Sequence, residues 1–235
     1  MNKDEIRQQV WRQMEKEKAG RFPFPLAGRI PNFKGAEKAA GHIVTLDAYK
    51  EAAVVKVNPD APQLPLRAQV LKDGKVLLIP TPRLKAGFIR IDPENVPDGE
   101  ERKAASLKHM KSYGKEIPLS EMPEIDLIVV GSVAVHRDGR RIGKGAGFAD
   151  REYAIIRELG NRPVPVVGTV HSLQLSKEDV PRDPYDVTLD WIATERELIK
   201  TESPYKKPEG ILWERVTEEE QKEMPVLEEI RRLGR

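Results

Sequence analysis

The 235-residue sequence predicts a layered α/β domain, and three observations favour this class. Segments rich in aliphatic and β-branched residues alternate along the chain with segments whose apolar residues recur at helical spacing. The run at 125–135 (IDLIVVGSVAV) has the almost uninterrupted apolar composition of a strand covered on both faces. The length is enough for one large domain or two small ones, and without an internal repeat we expect a single domain over 1–235.

The composition excludes several classes of protein. The 40 basic residues nearly balance the 38 acidic ones, and no basic stripe with interleaved aromatic residues is present, so we expect no nucleic acid partner. The absence of cysteine excludes disulfides and thiolate chemistry and favours a cytoplasmic location. No segment approaches the roughly 20 apolar residues of a membrane span, and the N-terminus lacks the apolar core of a signal peptide. We therefore expect a cytoplasmic protein with no membrane partner.

The first third of the sequence predicts helices joined by an apolar loop. Asn2 and Glu5 have the spacing of a capping box, and the apolar residues that follow recur at helical spacing, which predicts a helix over 2–19. The segment 21–35 contains three prolines and cannot be regular, yet its apolar residues indicate packing against the same domain. The segment 36–52 predicts another helix.

The middle of the sequence carries the first strand signals. The segment 53–57 (AVVKV) predicts a strand, and 66–71 (LRAQVL) with 75–80 (KVLLIP) predicts a hairpin that turns at the intervening Asp-Gly. The polar, turn-rich segment 92–103 indicates a surface connection.

The second half repeats the alternation. After the strand at 125–135 comes a glycine-rich stretch and then a helix over 149–160, which Gly160 ends. Strands are predicted at 163–170 and 187–194, with an edge strand at 210–216. A C-terminal helix over 217–233 opens with a capping box and docks through four apolar residues: Val226, Leu227, Ile230 and Leu233.

The stretch 141–151 (RIGKGAGFADR) has the composition of a phosphate-binding loop. Gly143, Gly145 and Gly147 permit positive φ, so that successive backbone N–H groups can converge on one anion. The helix that begins near Ala149 turns its N-terminal dipole toward the same point. The cations of the stretch add full positive charge, and the acid that follows suits a phosphate carrying Mg²⁺.

Two common nucleotide motifs are excluded for this stretch. A Walker A loop needs a different glycine, lysine and hydroxyl spacing, and a dinucleotide fingerprint needs glycine where Phe148 stands. The alternative is a hairpin end in which glycines allow the turn and charges give solubility. The stretch by itself leaves both interpretations open.

Several ordered motifs extend the pattern to most of residues 1–200. The segment 126–154 contains the buried strand followed by the glycine stretch. Two further motifs come after this segment, at 166–175 (VVGTVHSLQL) and at 180–195 (VPRDPYDVTLDWIATE). The basic helix opens with 3–7 (KDEIR). In this order the motifs resemble the 5-formyltetrahydrofolate cyclo-ligase family. The segments 22–35 and 77–84 (LLIPTPRL) are closer still to its methenyltetrahydrofolate synthase domain-containing branch.

The resemblance implies a fold, a reaction and cofactors. The fold is a three-layer α/β sandwich with a mostly parallel central sheet, similar to the CoA-transferase-like fold. The reaction is ATP- and Mg²⁺-dependent cyclisation of 5-formyltetrahydrofolate, or a related pterin, to the 5,10-methenyl form through a phosphorylated formyl group. The partner is therefore a small pterin or folate, and the protein is expected as a monomer or homodimer.

The resemblance also assigns residues, position by position. Arg141 and Lys144 are the candidate catalytic residues, and Asp150 and Asp190 the candidate Mg²⁺ ligands. Asp190 lies in an apolar strand, where a carboxylate needs a metal or a cation, whereas Asp186 is interpreted as a turn residue. The implied ATP contacts are Lys3, Arg7, Arg141, Gly143, Lys144, Gly145, Ala146, Gly147, Phe148, Ala149 and Asp150.

The sequence departs from the family on the substrate side. Phe148 and Ala149 stand where the family has two tyrosines, and Lys56 and Asn58 stand near the first strand where an acidic residue is expected. Alternatives therefore stay open: a paralogue that uses ATP on another small molecule, or a non-catalytic nucleotide-binding or RNA-associated protein. The candidate substrate contacts are Phe148, His171, Arg29 and Lys34.

Two of these substrate candidates have a structural alternative. His171 follows a strand, where it either polarises a substrate group or forms hydrogen bonds at the strand end. Arg29, Asn32 and Lys34 either replace the missing pterin contacts or cap their own loop.

Overall fold

A computed structural model describes residues 1–233, so the last two residues of the predicted domain 1–235 lie outside it. The helices are α1 (Lys3–Lys16), α2 (Ala36–Ile43), α3 (Asp47–Glu51), α4 (Leu64–Lys72), α5 (Glu101–Ala104), α6 (Met110–Tyr113), α7 (Phe148–Glu158), α8 (Glu218–Glu223) and α9 (Val226–Arg232). The strands are β1 (Val54–Val57), β2 (Val76–Pro80), β3 (Phe88–Ile91), β4 (Lys115–Ile117), β5 (Leu127–Gly131), β6 (Ala134–Val135), β7 (Arg141–Ile142), β8 (Val166–Thr169), β9 (Trp191–Ala193) and β10 (Leu198–Lys200).

Within residues 1–233, the main sheet has eight strands in the order β10-β9-β8-β5-β1-β2-β3-β4. The five central strands β9, β8, β5, β1 and β2 are parallel, and the antiparallel strands β10, β3 and β4 lie at the two sides. From β1 the chain crosses to β2 on one side and later returns to β5 on the other. The carboxyl ends of β1 and β5 therefore border the switch point at which open α/β sheets bind ligands.

The two faces of the sheet carry separate hydrophobic layers. Along β5, Leu127 and Val129 join the layer that contains α1, α2 and α4, whereas Ile128 and Val130 join the layer that contains α7 and α9. This alternation is the period of two that a strand imposes on its side chains. The prediction of a three-layer α/β sandwich with a mostly parallel central sheet is confirmed.

The predicted hairpin at 66–80 is wrong. The segment 66–71 belongs to α4, and β1 and β2 pair in parallel with α4 as the crossover between them. Leu66, Val70 and Leu71 are all buried, a spacing that places them on one side of a helix. Pro65 stands in the first turn of α4, where its missing N–H costs no hydrogen bond.

Other boundaries differ from the prediction at proline and at short strands. The C-terminal helix is two helices, because Pro225 cannot continue α8 and instead precedes α9. Leu233 is 38% exposed and does not dock. The segment 210–216 contains a 3₁₀ turn at Trp213–Arg215 in place of the predicted edge strand.

The predicted N-terminal helix and both capping boxes are present with shorter boundaries. The Asn2 side chain accepts from Glu5 N, and α1 ends at Lys16 rather than at residue 19. The segment 36–52 contains α2 and α3 rather than one helix, and β9 occupies three residues of the predicted strand 187–194. None of the helices within residues 1–233 is long and apolar enough to cross a bilayer.

Candidate functional site

A cleft of about 640 Å³ opens beyond the carboxyl ends of β1 and β5. This volume lies in the range of small-molecule binding sites. Its floor and walls come from the apolar loop before α2, the segments that follow β1 and β2, the segment between α5 and α6, the end of β5, and the glycine stretch with the start of α7. The lining residues include Arg29, Ile30, Asn58, Asp60, Leu64, Arg67, Arg83, Leu107, Gly131, Arg141, Gly143, Lys144, Ala146, Gly147, Phe148, Ala149, Asp150 and Glu152.

The glycine stretch forms a loop between β7 and α7. Gly145 has φ +111° and Gly147 has φ +67°, conformations that favour glycine, whereas Gly143 does not adopt the left-handed region. Gly147 is the N-cap of α7, and no side chain caps the first turn of that helix. This helix end, with its unpaired N–H groups and the positive end of the helix dipole, therefore lies in the wall of the cleft. Such an arrangement suits an anion.

Arg141 and Asp150 form an ion pair at the base of this loop. The Arg141 side chain is 2% exposed, and its guanidinium donates to Asp150 Oδ1 at 2.7 Å and to Gly131 O at 3.2 Å. Asp150 Oδ1 also accepts from Val187 N at 2.9 Å. Within residues 1–233, Asp150 Oδ2 accepts no hydrogen bond. Arg141 thus fixes the orientation of Asp150 and leaves one carboxylate oxygen available for a ligand.

The N-terminal end of α1 contacts the same loop. Arg7 Nε donates to Gly143 O at 2.7 Å, and the Arg7 guanidinium also pairs with Asp4. Lys3 Nζ bridges Asp183 at 2.7 Å and Asp186 at 2.6 Å. Burial lowers the pKa of Lys3, but its two carboxylate partners outweigh burial and raise it above the ordinary value. Arg7 therefore lies beside the glycine loop, whereas Lys3 is held by Asp183 and Asp186, and neither side chain lines the cleft.

Asp186 is brought close to Asp150, which the sequence interpretation did not anticipate. Burial raises the pKa of Asp186, and the negative charge of Asp150 raises it further. Lys3 provides the opposing positive charge. The interpretation of Asp186 as only a turn residue is therefore incomplete.

Asp190, the second predicted metal ligand, lies elsewhere, and this prediction needs correction. It precedes β9, so it is at the amino-terminal edge of the parallel strands, opposite the cleft. Its Oδ1 accepts from Lys207 Nζ at 2.6 Å, and its Oδ2 accepts from Val166 N at 2.8 Å. The cationic partner expected for a carboxylate at this position is Lys207, and no metal is needed.

Two predicted substrate contacts are also misplaced. His171 Nδ1 accepts from Leu173 N at 3.1 Å, its Nε2 lies 3.5 Å from Glu195, and burial lowers its pKa. It caps a 3₁₀ turn and does not line the cleft. Lys34 is exposed and borders a separate surface depression. Of the polar group in that loop, Arg29 lines the cleft, and its Nε donates to Pro25 O at 3.1 Å.

Lys144 and Asp60 face each other across the cleft. Their charged groups are 3.5 Å apart, and the Lys144 side chain is 43% exposed, so water screens the pair. Arg67, which is buried, donates to the carbonyl oxygens of Asn58 at 2.7 Å and Asp60 at 2.9 Å. Burial lowers the pKa of Arg67 to about 10. Arg67 therefore holds the segment that carries Asp60 in place.

Lys56 and Glu152 form a second buried ion pair below the cleft. Their side chains are 1% and 5% exposed, and Lys56 Nζ also donates to Asn58 Oδ1 at 2.7 Å. Burial raises the pKa of Glu152, and the Lys56 charge opposes that rise. Among the cleft residues that the sequence interpretation missed are Glu152, Asp60 and Arg67. The available signals were charges inside otherwise apolar elements: Lys56 within β1 and Arg67 beside Leu66 in α4.

Comparison with known proteins supports the resemblance. A model of the 5-formyltetrahydrofolate cyclo-ligase family matches residues 1–195. The methenyltetrahydrofolate synthase domain-containing protein of Bos taurus is 42% identical over 241 residues, which cover 98% of this chain and 62% of the bovine protein. Its human counterpart is 40% identical, again over 98% of this chain and 62% of the human protein. The chain thus spans less than two thirds of the length of these relatives.

Two solved structures share the fold. The 5,10-methenyltetrahydrofolate synthetase of Aquifex aeolicus superposes with a TM-score of 0.54 at 21% identity, covering 88% of this chain and 96% of that one. The synthetase of Mycoplasma pneumoniae gives a TM-score of 0.51 at 18% identity, covering 83% and 100%. At these identities the likeness concerns the fold alone.

Proposed function

Because the chain belongs to the 5-formyltetrahydrofolate cyclo-ligase family, we propose that it cyclises 5-formyltetrahydrofolate, or a related pterin, in a reaction that consumes ATP and requires Mg²⁺. The observation that carries this proposal is the uncapped N-terminus of α7, preceded by two glycines with positive φ, in the wall of a ligand-sized cleft. Such a helix end suits the phosphates of a nucleotide.

The ATP phosphates are proposed to lie against the loop from Gly143 to Asp150. Backbone N–H groups of this loop and the Lys144 ammonium would bind the phosphate oxygens. Lys144 is the cation of the loop that can move toward a ligand, since it is exposed and its pairing with Asp60 is loose at 3.5 Å. Arg141 acts from below by fixing Asp150, Arg7 holds the loop through Gly143 O, and Lys3 holds Asp186.

Asp150 and Asp186 are the residues that would hold Mg²⁺. Each has one carboxylate oxygen that accepts no hydrogen bond from residues 1–233, and the charge of Asp150 raises the pKa of Asp186 even though Lys3 and Arg141 pair with the two carboxylates. The described residues contain no cluster of three or more acidic or imidazole ligands. Two carboxylates supplemented by phosphate oxygens are an arrangement that Mg²⁺ commonly accepts. The ion would neutralise charge on the nucleotide phosphates.

The chemical role of the chain would be alignment and charge stabilisation. A formyl oxygen is a poor leaving group, so transfer of the terminal phosphoryl group of ATP to that oxygen, with release of ADP, activates the carbon. The second substrate nitrogen then attacks the carbon, and phosphate leaves with the former formyl oxygen. Lys144 and the loop N–H groups would stabilise negative charge on the phosphoryl group during both steps.

A second candidate function follows from the substrate side of the cleft. Phe148 and Ala149 line the cleft, and neither residue provides a hydroxyl group. These features favour a family member that uses the same ATP site on a different small molecule. A non-catalytic nucleotide-binding protein would share the glycine loop but would not turn over any pterin.

The experiment is a titration with Mg·ATP, followed by addition of 5-formyltetrahydrofolate while the absorbance of the methenyl product is recorded. Cyclisation at a rate that depends on both ATP and Mg²⁺ supports the first candidate. Binding of ATP without methenyl formation eliminates it and leaves the alternatives. The variant Asp150→Asn tests the metal assignment. In this variant ATP binding should lose its dependence on Mg²⁺, and an unchanged dependence would show that the assignment is wrong.

A further inference from the structure

Glu152 presents a buried carboxylate to the cleft. This carboxylate has no part in the proposed ATP site, and the packing of the fold does not require a charge at this position. It lies on the first turns of α7, two residues after Asp150, and its side chain is 5% exposed. A buried carboxylate is costly unless it is paired. Lys56 supplies the pairing through Glu152 Oε2, and Asn58 Oδ1 accepts a second hydrogen bond from the same ammonium at 2.7 Å.

The second oxygen of Glu152 remains available. Within residues 1–233, Oε1 accepts no hydrogen bond. It is also not enclosed by protein, because the unpaired and fully enclosed side-chain polar atoms of the described chain belong to Gln63, Arg182 and Thr188. Since Glu152 lines the cleft, Oε1 faces the space that a ligand would fill.

The surroundings of Glu152 restrict the chemistry of that ligand. The cleft is walled by apolar side chains that suit a flat ring, including Ile30, Leu64 and Phe148. The charged groups that act on the pKa of Glu152 are Lys56, Asp60 and Arg141. Arg141 is paired with Asp150 and Lys56 with Glu152 itself, so a further cation on the ligand is not required. What the free oxygen lacks is a hydrogen-bond donor.

We propose that Glu152 is a specificity-determining residue that recognises the N–H donor edge of a heterocyclic ligand. The edge that fits a carboxylate is a ring N–H beside an exocyclic amino group, as in a 2-amino-4-oxopyrimidine ring. The proposal rests on the proposed function for its substrate class, since pterins carry this edge. Lys56 is the positioning residue: its ammonium, which also donates to Asn58 Oδ1, holds the carboxylate through Oε2 and does not touch the ligand.

The experiment compares the binding of pterin with that of lumazine, in which an oxygen replaces the exocyclic amino group. A hydrogen bond to a charged acceptor is worth enough to make the wild-type protein prefer pterin by roughly 10- to 100-fold. Glu152→Gln should remove this preference while Mg·ATP affinity and thermal unfolding show that the protein is folded. Glu158→Gln, on the same helix but outside the cleft, is the matched control and should keep the preference.

Because Glu152→Gln leaves the Lys56 ammonium buried, the double variant Lys56→Met/Glu152→Gln provides a second test in a neutral cleft floor. It should also bind pterin and lumazine equally. Equal binding by the wild-type protein, or an unchanged preference in the folded single and double variants, would overturn the proposal even if cyclisation of 5-formyltetrahydrofolate is observed. A Glu152-dependent preference without cyclisation would support it and reject the proposed reaction. Failure of the wild-type protein to bind either compound would overturn the proposal, and the proposed reaction would be decided by the methenyl assay.

Discussion

Lys56 and Glu152 are each other's charge partner in a nearly closed environment. Removal of one member leaves an uncompensated charge, whereas replacement of both by neutral side chains removes the desolvation cost together with the attraction. The pair therefore has consequences for stability that can be separated from any role in ligand binding.

We expect Lys56→Met to lower the free energy of unfolding by about 3–5 kcal/mol and the double variant Lys56→Met/Glu152→Gln to recover most of that loss. The measurement is urea denaturation at neutral pH. Equal stability of the single and double variants would contradict the assignment of a coupled buried pair.

The pH dependence of Lys56→Met checks the same pair independently. Without Lys56, burial and the Asp60 charge act on Glu152 with only Arg141 opposing them, and the pKa of Glu152 rises further above the ordinary carboxyl value. A carboxyl group whose pKa is higher in the folded than in the unfolded protein stabilises the fold when the pH is below both values. This stabilisation is lost as the pH rises from the unfolded pKa to the folded pKa. The stability difference between the variant and the wild type should therefore shrink as the pH is lowered toward 4.5.

Individual site residues were predictable to the extent that their spacing marked them. Arg141, Lys144 and Asp150 lie within one compact glycine-rich stretch, and all three line the cleft. Glu152 lies three residues after Ala149 and four before Ile156, so it shares their face of α7, but a lone acid on an apolar stripe gave no indication of its partner. That partner, Lys56, is 96 residues away, and only the sheet topology brings the two together.

The glycine loop provides a matched pair of substitutions. Gly147, with φ +67°, and Gly74, with φ +72°, both have open space where a Cβ would be placed, but only Gly147 lines the cleft. A left-handed conformation costs an alanine about 1–2 kcal/mol. We expect Gly147→Ala and Gly74→Ala to lose similar stability by thermal unfolding, and only Gly147→Ala to weaken Mg·ATP binding in a calorimetric titration. Equal ATP affinity in the two variants would argue against the loop as the phosphate site.

Helix α1 has its own test through the two cations at its N-terminal end. Lys3→Ala with Arg7→Ala removes the contacts to Asp186 and to Gly143 O, so the loop loses its support and we expect ATP affinity to fall severalfold. Arg12→Ala is the control, since Arg12 is exposed on the same helix. An affinity equal to that of the control would mean that the contacts of Lys3 and Arg7 do not support the phosphate site.

Helices and strands were predictable where the sequence pattern was compatible with only one kind of secondary structure. The capping boxes of α1 and α8 follow from local chemistry and are present. The predicted strand at 125–135 is divided into β5 of the main sheet and β6, which pairs with β7 in a separate two-stranded sheet. The segment 66–71 was misread because six residues of mixed apolar and polar character fit both a strand and a helix turn, and the following Asp-Gly suggested a hairpin. The parallel pairing of β1 with β2, a long-range contact, decides in favour of α4.

The hydrophobic layer that contains α7 extends well beyond the glycine loop. The layer under α7 also receives α9, whose Ile230 is buried far along the chain from the glycine loop. We expect Ile230→Ala to cost about 2–5 kcal/mol of unfolding free energy without a change in ATP affinity. Leu233→Ala is the control, because Leu233 is largely exposed. A parallel loss of ATP affinity in Ile230→Ala would show that α9 supports the cleft after all.

The layered architecture was predictable because alternating strand and helix patterns allow few arrangements of a chain of this length. The position of the cleft follows from the strand order, which the sequence does not display. The family resemblance supplied the parallel sheet that local patterns left open. For the same reason Asp190 was misassigned: a carboxylate before an apolar strand needs a cation, but the sequence does not show at which edge of the sheet it lies.

The most direct test is a crystal structure with Mg²⁺ and a nonhydrolysable ATP analogue. The triphosphate should lie against the N-terminus of α7, with N–H groups of residues 143–149 on its oxygens and the metal between Asp150 and Asp186. A triphosphate bound at another surface, with the glycine loop empty, would contradict the assignment of this cleft.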